Sequence, residues 1–528
     1  MANFEHPRLG ALKGITQDGV TSFRGLKYAS LEHAFAEPVV SAVKADKAVH
    51  ATRYGPASTH PPVGCDMELS LIQKSLPHDP ITTSAADCLN LNVVVPEKRN
   101  ASLPVFVFIH GGGFRIGANS WPQSDLAKFV KLSQDINKPV VGVNINYRLG
   151  VYGFLDSAKL RQAGVKANRG LRDQRAALEW VQQNIAAFGG DPSQVTVIGQ
   201  SAGGVSCTFH LQSREPLFQQ FVSMGGTALL MKPLPPQITD ATYAGVLKAV
   251  QVDEAASPQE QLKGLLSVAP ETFLSAVGPD LPLLPAIDGE IITSEVSFSK
   301  WTDSISSTAP GTSWCRRAMI GDCQNDAMIM TYALMPRKAG IAAAFEKTMT
   351  KFVSSEKNGL APIYEGYNIN TDISDDEAMA NILKYINDIA FYAPVQILAK
   401  AWPKSAFVYH FNEPNPWDGP FKGQSTHILD VAFLFQNFNE YLEPAQVESA
   451  KDFARDVITF INGEDPYPVH DSGAGGAQVY GPPVQPGQGF VKSQDPAEYG
   501  RRALVWDLAQ KYGLDSLSFS VDMILAGQ

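Results

Sequence analysis

Short, almost unbroken apolar runs alternate along this chain with longer stretches whose apolar residues recur at helical spacing. Pro104 to His110 is nearly continuous Val, Phe and Ile, the composition of a strand covered on both faces. Val140 to Asn146 repeats that character, and Val195 to Ile198 is a shorter β-rich run. Between them a helical stretch is predicted around 123–134, and Gly170 to Phe188 carries Leu171, Ala177, Leu178, Val181 and Ile185 at helical positions. Alternation of strand and helix calls for crossover connections and therefore a mostly parallel sheet, whose reactive groups collect at the carboxyl ends of the strands. Phe221 to Gly225, Ala318 to Gly321 and Phe407 to Phe411 read as further strands. Residues 234–310 read as helical pieces between Pro-rich turns, inserted over the sheet, and 327–400 as largely helical. Ahead of the sheet, 12–29 predicts a hairpin about Gln17-Asp18-Gly19, whereas 30–86 shows little periodicity and reads as loop. A helix at 445–462, a Gly/Pro loop at 472–488 and a helix at 498–512 complete the pattern. No repeat or long linker divides the chain, so residues 1–528 are expected to form one domain.

Composition narrows the classes of function. A formal net charge of −10 and a pI near 5.5 argue against nucleic-acid binding, which exploits a basic face. No apolar run approaches the roughly 18 residues of a membrane span. The first ten residues lack the basic and apolar regions of a signal peptide, which leads to the expectation of a cytosolic protein, with secretion the alternative if a leader has been removed. Five Cys, at 65, 88, 207, 315 and 323, are too few and too scattered for a disulfide framework or a paired-cysteine metal site. No metal or cofactor is expected. The one Asn-x-Ser sequon, Asn100-Ala101-Ser102, carries little information.

Candidate chemistry starts at Gly199-Gln200-Ser201-Ala202-Gly203, directly after the run at 195–198. A Gly-x-Ser-x-Gly turn between strand and helix lifts the Ser hydroxyl clear of the sheet, and leaves the next N–H, that of Ala202, at a helix N-terminus facing a developing oxyanion. Upstream, the strand at 104–110 ends in His110-Gly111-Gly112-Gly113-Phe114, where successive glycines mark a tight turn with exposed N–H groups. A serine hydroxyl needs a base, and the base a carboxylate, which in α/β-hydrolases follow the Ser in the order acid, then His. Three histidines come into question. His210 lies nine residues along the helix that Ser201 would begin, too far to fold back, and His410 sits inside an apolar strand. His427 follows a loop beyond a strand end and is assigned as base. For the acid, Asp326 stands in the loop after Ala318 to Gly321, with Asp322, nearer the strand end, the runner-up.

With these pieces the chain resembles the type-B carboxylesterases, the family of carboxylesterases, lipases and cholinesterases. The resemblance rests on Phe23 to Ala29, Ala86 to Asn92, His110 to Phe114, Asn146-Tyr147-Arg148-Leu149-Gly150, Asn168 to Asn184 and Phe188 to Gly204. It implies an α/β-hydrolase fold with helical insertions forming a gorge, and a serine esterase acting on a small-molecule ester through an acyl-enzyme. It further implies Ser201 as nucleophile, His427 as base, Asp326 rather than Asp322 as acid in a slot usually held by Glu, and Gly112, Gly113 and Ala202 as oxyanion donors. Cys65 and Cys88 match the family's first disulfide. Arg115, after the Gly-rich loop, matches a position lining the upper gorge, where it would attract an acidic or phenolic ester. The alternative is a surface Arg paired with a carboxylate. Two departures turn the expectation away from choline esters: residues 66–87 lack any Trp, Tyr or Phe to hold a quaternary ammonium by cation–π attraction, and Gln200 stands where Glu commonly precedes the nucleophile. Gly226 replaces a Ser that often follows the next strand. Acyl transfer to another alcohol, or a biosynthetic tailoring reaction with the same triad, is the nearest alternative, and a non-catalytic binding protein on this fold the remote one. Oligomeric state is not legible.

Overall fold

A computed structural model of the chain describes residues 2–41, 48–97, 102–354, 357–471, 473–483 and 489–528. Asn100 and Ala101 of the sequon, and 472 and 484–488 of the Gly/Pro loop, lie outside them. Thirteen strands form one large sheet. Its path runs Ala2–His6, Gly10–Gln17, Val20–Lys27, Asn90–Pro96, Val141–Ile145, Leu103–Ile109, Gly190–Gln200, Gln220–Met224, Arg317–Cys323, Ser405–Phe411, Ala477–Tyr480 and Phe490–Val491, with Val49–His50 beside the second strand. From Val141–Ile145 to Ala477–Tyr480 all neighbours are parallel, and antiparallel pairs occur only toward the two edges. The hairpin turns at Asp18 and Gly19, both at positive φ (51° and 80°), the geometry that matches strand twist.

The apolar runs explain the layers. Along Leu103–Ile109, Val105, Val107 and Ile109 enter one core while Phe106 and Phe108 enter the other, so the strand is buried on both faces. Arg169–Asn184 and Ala202–His210 cover the first face. Ala127–Asp135, Leu429–Leu434 and Pro444–Ile461 cover the second. The inserted segment supplies Pro236–Ala249, Pro258–Ser267 and Pro270–Ala276, each opening on a Pro in its first turn, where the missing N–H breaks no helical bond. Arg148 grips both carboxylate oxygens of Asp173 at 2.8 Å, fully buried, and ties the Asn146 to Gly150 segment to helix Arg169–Asn184.

Several elements differ from the sequence expectation. The region read as loop at 30–86 contains a helix, Gly64–Ile72. The Gly/Pro loop contains a strand, Ala477–Tyr480, and the tail adds a last helix, Leu514–Ala526. Arg317–Cys323 runs two residues further than expected and takes Asp322 into the sheet. Among the described residues no helix is long and apolar enough to cross a membrane.

The expected Cys65–Cys88 bridge is absent. All five cysteines are free and buried. Cys65 lies with Trp121 in the core of one sheet face and Cys88 with Leu91 in that of the other. Burial pushes both thiols up to about 12, which keeps them protonated and unreactive. Denatured without reductant, the chain is expected to titrate five thiols with a chromogenic disulfide reagent. A count of three would restore a bridge.

Candidate active site

Four loops at the carboxyl ends of parallel strands build the site. At the end of Gly190–Gln200, Ser201 has φ 54° and ψ −123°, and helix Ala202–His210 begins at the next residue. The glycines around it answer to sterics. A Cβ on Gly199 would lie 2.2 Å from the Gly203 carbonyl, and one on Gly203 would lie 2.0 Å from the Ile109 carbonyl oxygen. The Ser201 N–H donates to Met224 O at 2.8 Å, fastening the turn to the next strand. Gly226 is equally constrained, because a Cβ there would reach 2.5 Å from Ser201 O. The Ser expected by resemblance at that position would need the elbow to shift.

The Gly-rich loop after Leu103–Ile109 lies against this turn. A Cβ on Gly111 would strike Gln200 and come 2.9 Å from Ser201 Cβ. Gly112 and Gly113 take positive φ of 95° and 61°. The Gly112 carbonyl accepts from Arg115 and Ile116, and no protein acceptor meets the N–H of Gly112 or Gly113 among the described residues. Arg115, expected to line the upper gorge, turns aside: its guanidinium donates to Leu281 O and feels the charge of Asp280. The contact straps the Gly-rich loop to the inserted segment.

Asp326 and His427 stand 101 residues apart and meet. Asp326 Oδ1 accepts from His427 Nδ1 at 2.6 Å, and Oδ2 accepts from the Cys323 N–H at 2.7 Å. Both side chains are buried. Burial pushes the Asp326 carboxyl up against the opposing pull of His427. The two loops are stitched together by a bridge between Asn325 and Thr426, with the Asn325 N–H on Ser425 O at 2.8 Å. Gly225 passes so close that a Cβ would touch Asp326 Oδ1 at 3.0 Å. On the other edge of the imidazole, Nε2 lies 3.1 Å from the Gln200 side-chain amide. Among the described residues the Ser201 hydroxyl has no side-chain or backbone partner.

Other candidates have different surroundings. Asp322 and His410 pair within the sheet, and the Arg501 guanidinium holds Asp322 from Nε and Nη2, all fully buried. His210 is buried on its helix, against Gln174 Oε1 at 2.8 Å. One group near the site escaped the sequence reading. Asp430, in Leu429–Leu434, accepts from Tyr409 Oη at 3.0 Å, and burial together with the charge of Asp326 pushes it up to about 7. A carboxylate inside the apolar run Ile428 to Phe435 was the available signal.

A mostly parallel sheet carrying an elbow serine, with Asp and His on loops beyond the later strands, defines the fold as an α/β-hydrolase. Residues 5–481 match the model of the carboxylesterase family, and the chain belongs to that family. It is similar to the para-nitrobenzyl esterase of Bacillus subtilis, 28% identical over 457 residues that cover 83% of this chain and 84% of the relative. It is 32% identical over 410 residues to the esterase cest-33 of Caenorhabditis elegans, covering 72% and 69% of the two chains. A solved PNB esterase structure superposes with a TM-score of 0.70 at 25% identity, over 90% of this chain and 95% of that one. The family places this chain among the carboxylic ester hydrolases.

Proposed function

We propose that the protein hydrolyses a carboxylic ester through an acyl-enzyme formed on Ser201. The observation that carries this reading is the buried 2.6 Å bond between His427 and Asp326, beside an elbow that holds a serine at positive φ. With the Nδ1 proton donated to Asp326, His427 Nε2 carries the lone pair. The Gln200 amide occupies that lone pair at 3.1 Å and gives way to the Ser201 hydroxyl when an ester is bound, since nucleophilic attack requires the hydroxyl proton to pass to Nε2. Attack of Oγ on the ester carbonyl creates an oxyanion that accepts from the N–H groups of Gly112, Gly113 and Ala202. Collapse breaks the bond to the alcohol, which leaves with the proton from His427. Water, deprotonated by the same imidazole, then releases the acid and restores Ser201.

The residues 66–87 offer no aromatic platform for a quaternary ammonium, so choline esters are excluded from the proposal. A fluorophosphonate probe is expected to label the native protein at one site, located by peptide mapping at Ser201, and product analysis should find free acid in water whether or not an alcohol acceptor is added. An unlabelled protein would refute the acyl-enzyme, and transfer of the acyl group to the acceptor would redirect it to acyl transfer.

A further inference from the structure

The helix that the sequence reading missed, Gly64–Ile72, covers several buried polar atoms without a partner: one donor, the Trp121 indole N–H, and three acceptors. His60 Nδ1 meets Pro61 O at 2.8 Å, a contact that requires the proton on Nδ1 and leaves Nε2 as a lone pair. His110 repeats this with Gly111 O at 2.9 Å. His60 Nε2, His110 Nε2 and Gln123 Oε1 are buried without a partner in side chains that are 1%, 6% and 1% exposed. They belong to one region. A Cβ on Gly64 would touch the His60 ring at 3.0 Å and Trp121 at 3.4 Å, and one turn further along the same helix face Glu68 Oε1 accepts from Gln123 Nε2 at 2.8 Å. The other carboxylate oxygen of Glu68 has no protein partner among the described residues. Buried acceptors without donors cost free energy unless a donor arrives, and a carboxylate at their edge gives the group a negative potential.

We propose that Glu68, with Gln123 Oε1 and His60 Nε2, forms a subsite for a protonated primary or secondary amine carried by the ester substrate. An ammonium supplies several N–H donors to these acceptors and a charge to the carboxylate. A quaternary ammonium has no N–H and cannot donate to them. The link to the reaction centre runs through His110: Tyr147 stacks on it at 4.5 Å and donates to its carbonyl at 2.9 Å, and a Cβ on the next residue, Gly111, would come 2.9 Å from Ser201 Cβ. The charge of Glu68 acts on Tyr147 and feels that of His427. The negative charge that Gln200 removes from the elbow is thereby supplied from a different element. This inference rests on the esterase reading above.

The test uses matched ester pairs in which a terminal ammonium on one member is replaced by methyl on the other, with the substituent on the acyl chain in one pair and on the alcohol in the second. In Glu68→Gln the ratio of kcat/KM for the ammonium ester over its methyl partner is expected to fall about tenfold in at least one pair, the worth of one partly buried charge-assisted contact. Burial pushes Glu68 up to about 7, so the wild-type ratio should climb as pH rises through that value and the carboxyl ionises. The titratable groups that act on or stand near Glu68 are His427, Tyr147, Cys65 on its own helix, and His60, which packs against Gly64 one turn before it. An unchanged ratio in both pairs overturns the proposal. Should Glu68→Gln fail to fold, inhibition of the wild type decides instead: hexylammonium should inhibit hydrolysis of a neutral ester more strongly than hexanol, and equal inhibition overturns the subsite. Wild-type protein that hydrolyses none of the four esters would instead count against the esterase reading.

Discussion

Ser201→Ala is expected to lower ester turnover by about 10⁴–10⁶ while leaving the fold intact. Both halves follow from the surroundings of the residue. The hydroxyl is the only atom lost, and among the described residues it holds nothing in place, so its removal orphans no buried donor or acceptor. Alanine meets the same backbone strain at φ 54° that serine already bears, since both carry a Cβ. A thermal midpoint within about 1 °C of the wild type, equivalent to about 1 kcal/mol for a chain of 528 residues, should therefore accompany the loss of activity. Turnover within tenfold of the wild type would remove Ser201 from the mechanism.

Asp326→Asn and Asp322→Asn should separate cleanly, one in rate and the other in stability. In Asp326→Asn the new amide has one oxygen for two donors, the Cys323 N–H and His427 Nδ1–H. If the oxygen stays on Cys323, the NH₂ group faces His427 and drives the imidazole to the tautomer with its proton on Nε2. That tautomer cannot accept from Ser201, and kcat should drop by about 10⁴. Asp322→Asn instead leaves the buried Arg501 guanidinium short of its counter-charge, which should destabilise the fold by about 3–5 kcal/mol in denaturant unfolding. The folded fraction should keep activity within about tenfold. A large rate loss in Asp322→Asn with none in Asp326→Asn would reverse the assignment. The charge state of Asp322 also sets an acid limit. Against a burial penalty, Arg501 and then His410 hold it down at about 2 from an ordinary 3.8. Its contribution to stability is thus present above the unfolded value and lost as pH falls through about 2.

The choice between these two carboxylates shows where sequence reasoning ran out. Both follow an apolar run and either could lie on a loop. Position beyond the strand ranked Asp326 ahead of Asp322, and only the resemblance decided between them. What distinguishes them is where the strand ends, and Arg317–Cys323 continues because Asp322 finds Arg501, 179 residues away, and His410 on the adjacent strand. The same cause hid Ala477–Tyr480, whose four residues pair with the end of Ser405–Phe411 and have little apolar pattern of their own. Helix Gly64–Ile72 was missed because it is nine residues long and stands among Pro-rich loops, where Cys65, Leu69 and Ile72 are too few to display a period. The bridge predicted from Cys65 and Cys88 is absent, and the two residues lie in the cores of opposite faces of the sheet.

The sequence by itself determined the parallel sheet, the elbow at Ser201 and the Gly-rich turn at 111–113, because these depend on local sterics. A strand buried on both faces must be apolar throughout, and a backbone packed within 2–3 Å of another can carry only glycine. Only the tertiary structure decided which acid meets His427, where Arg115 points, that the thiols stay unbridged and that Glu68 meets Gln123. Each of those depends on contacts between residues far apart in the chain, such as Gln200 and His427 across 227 positions, whose distances follow from packing and leave no trace in local pattern.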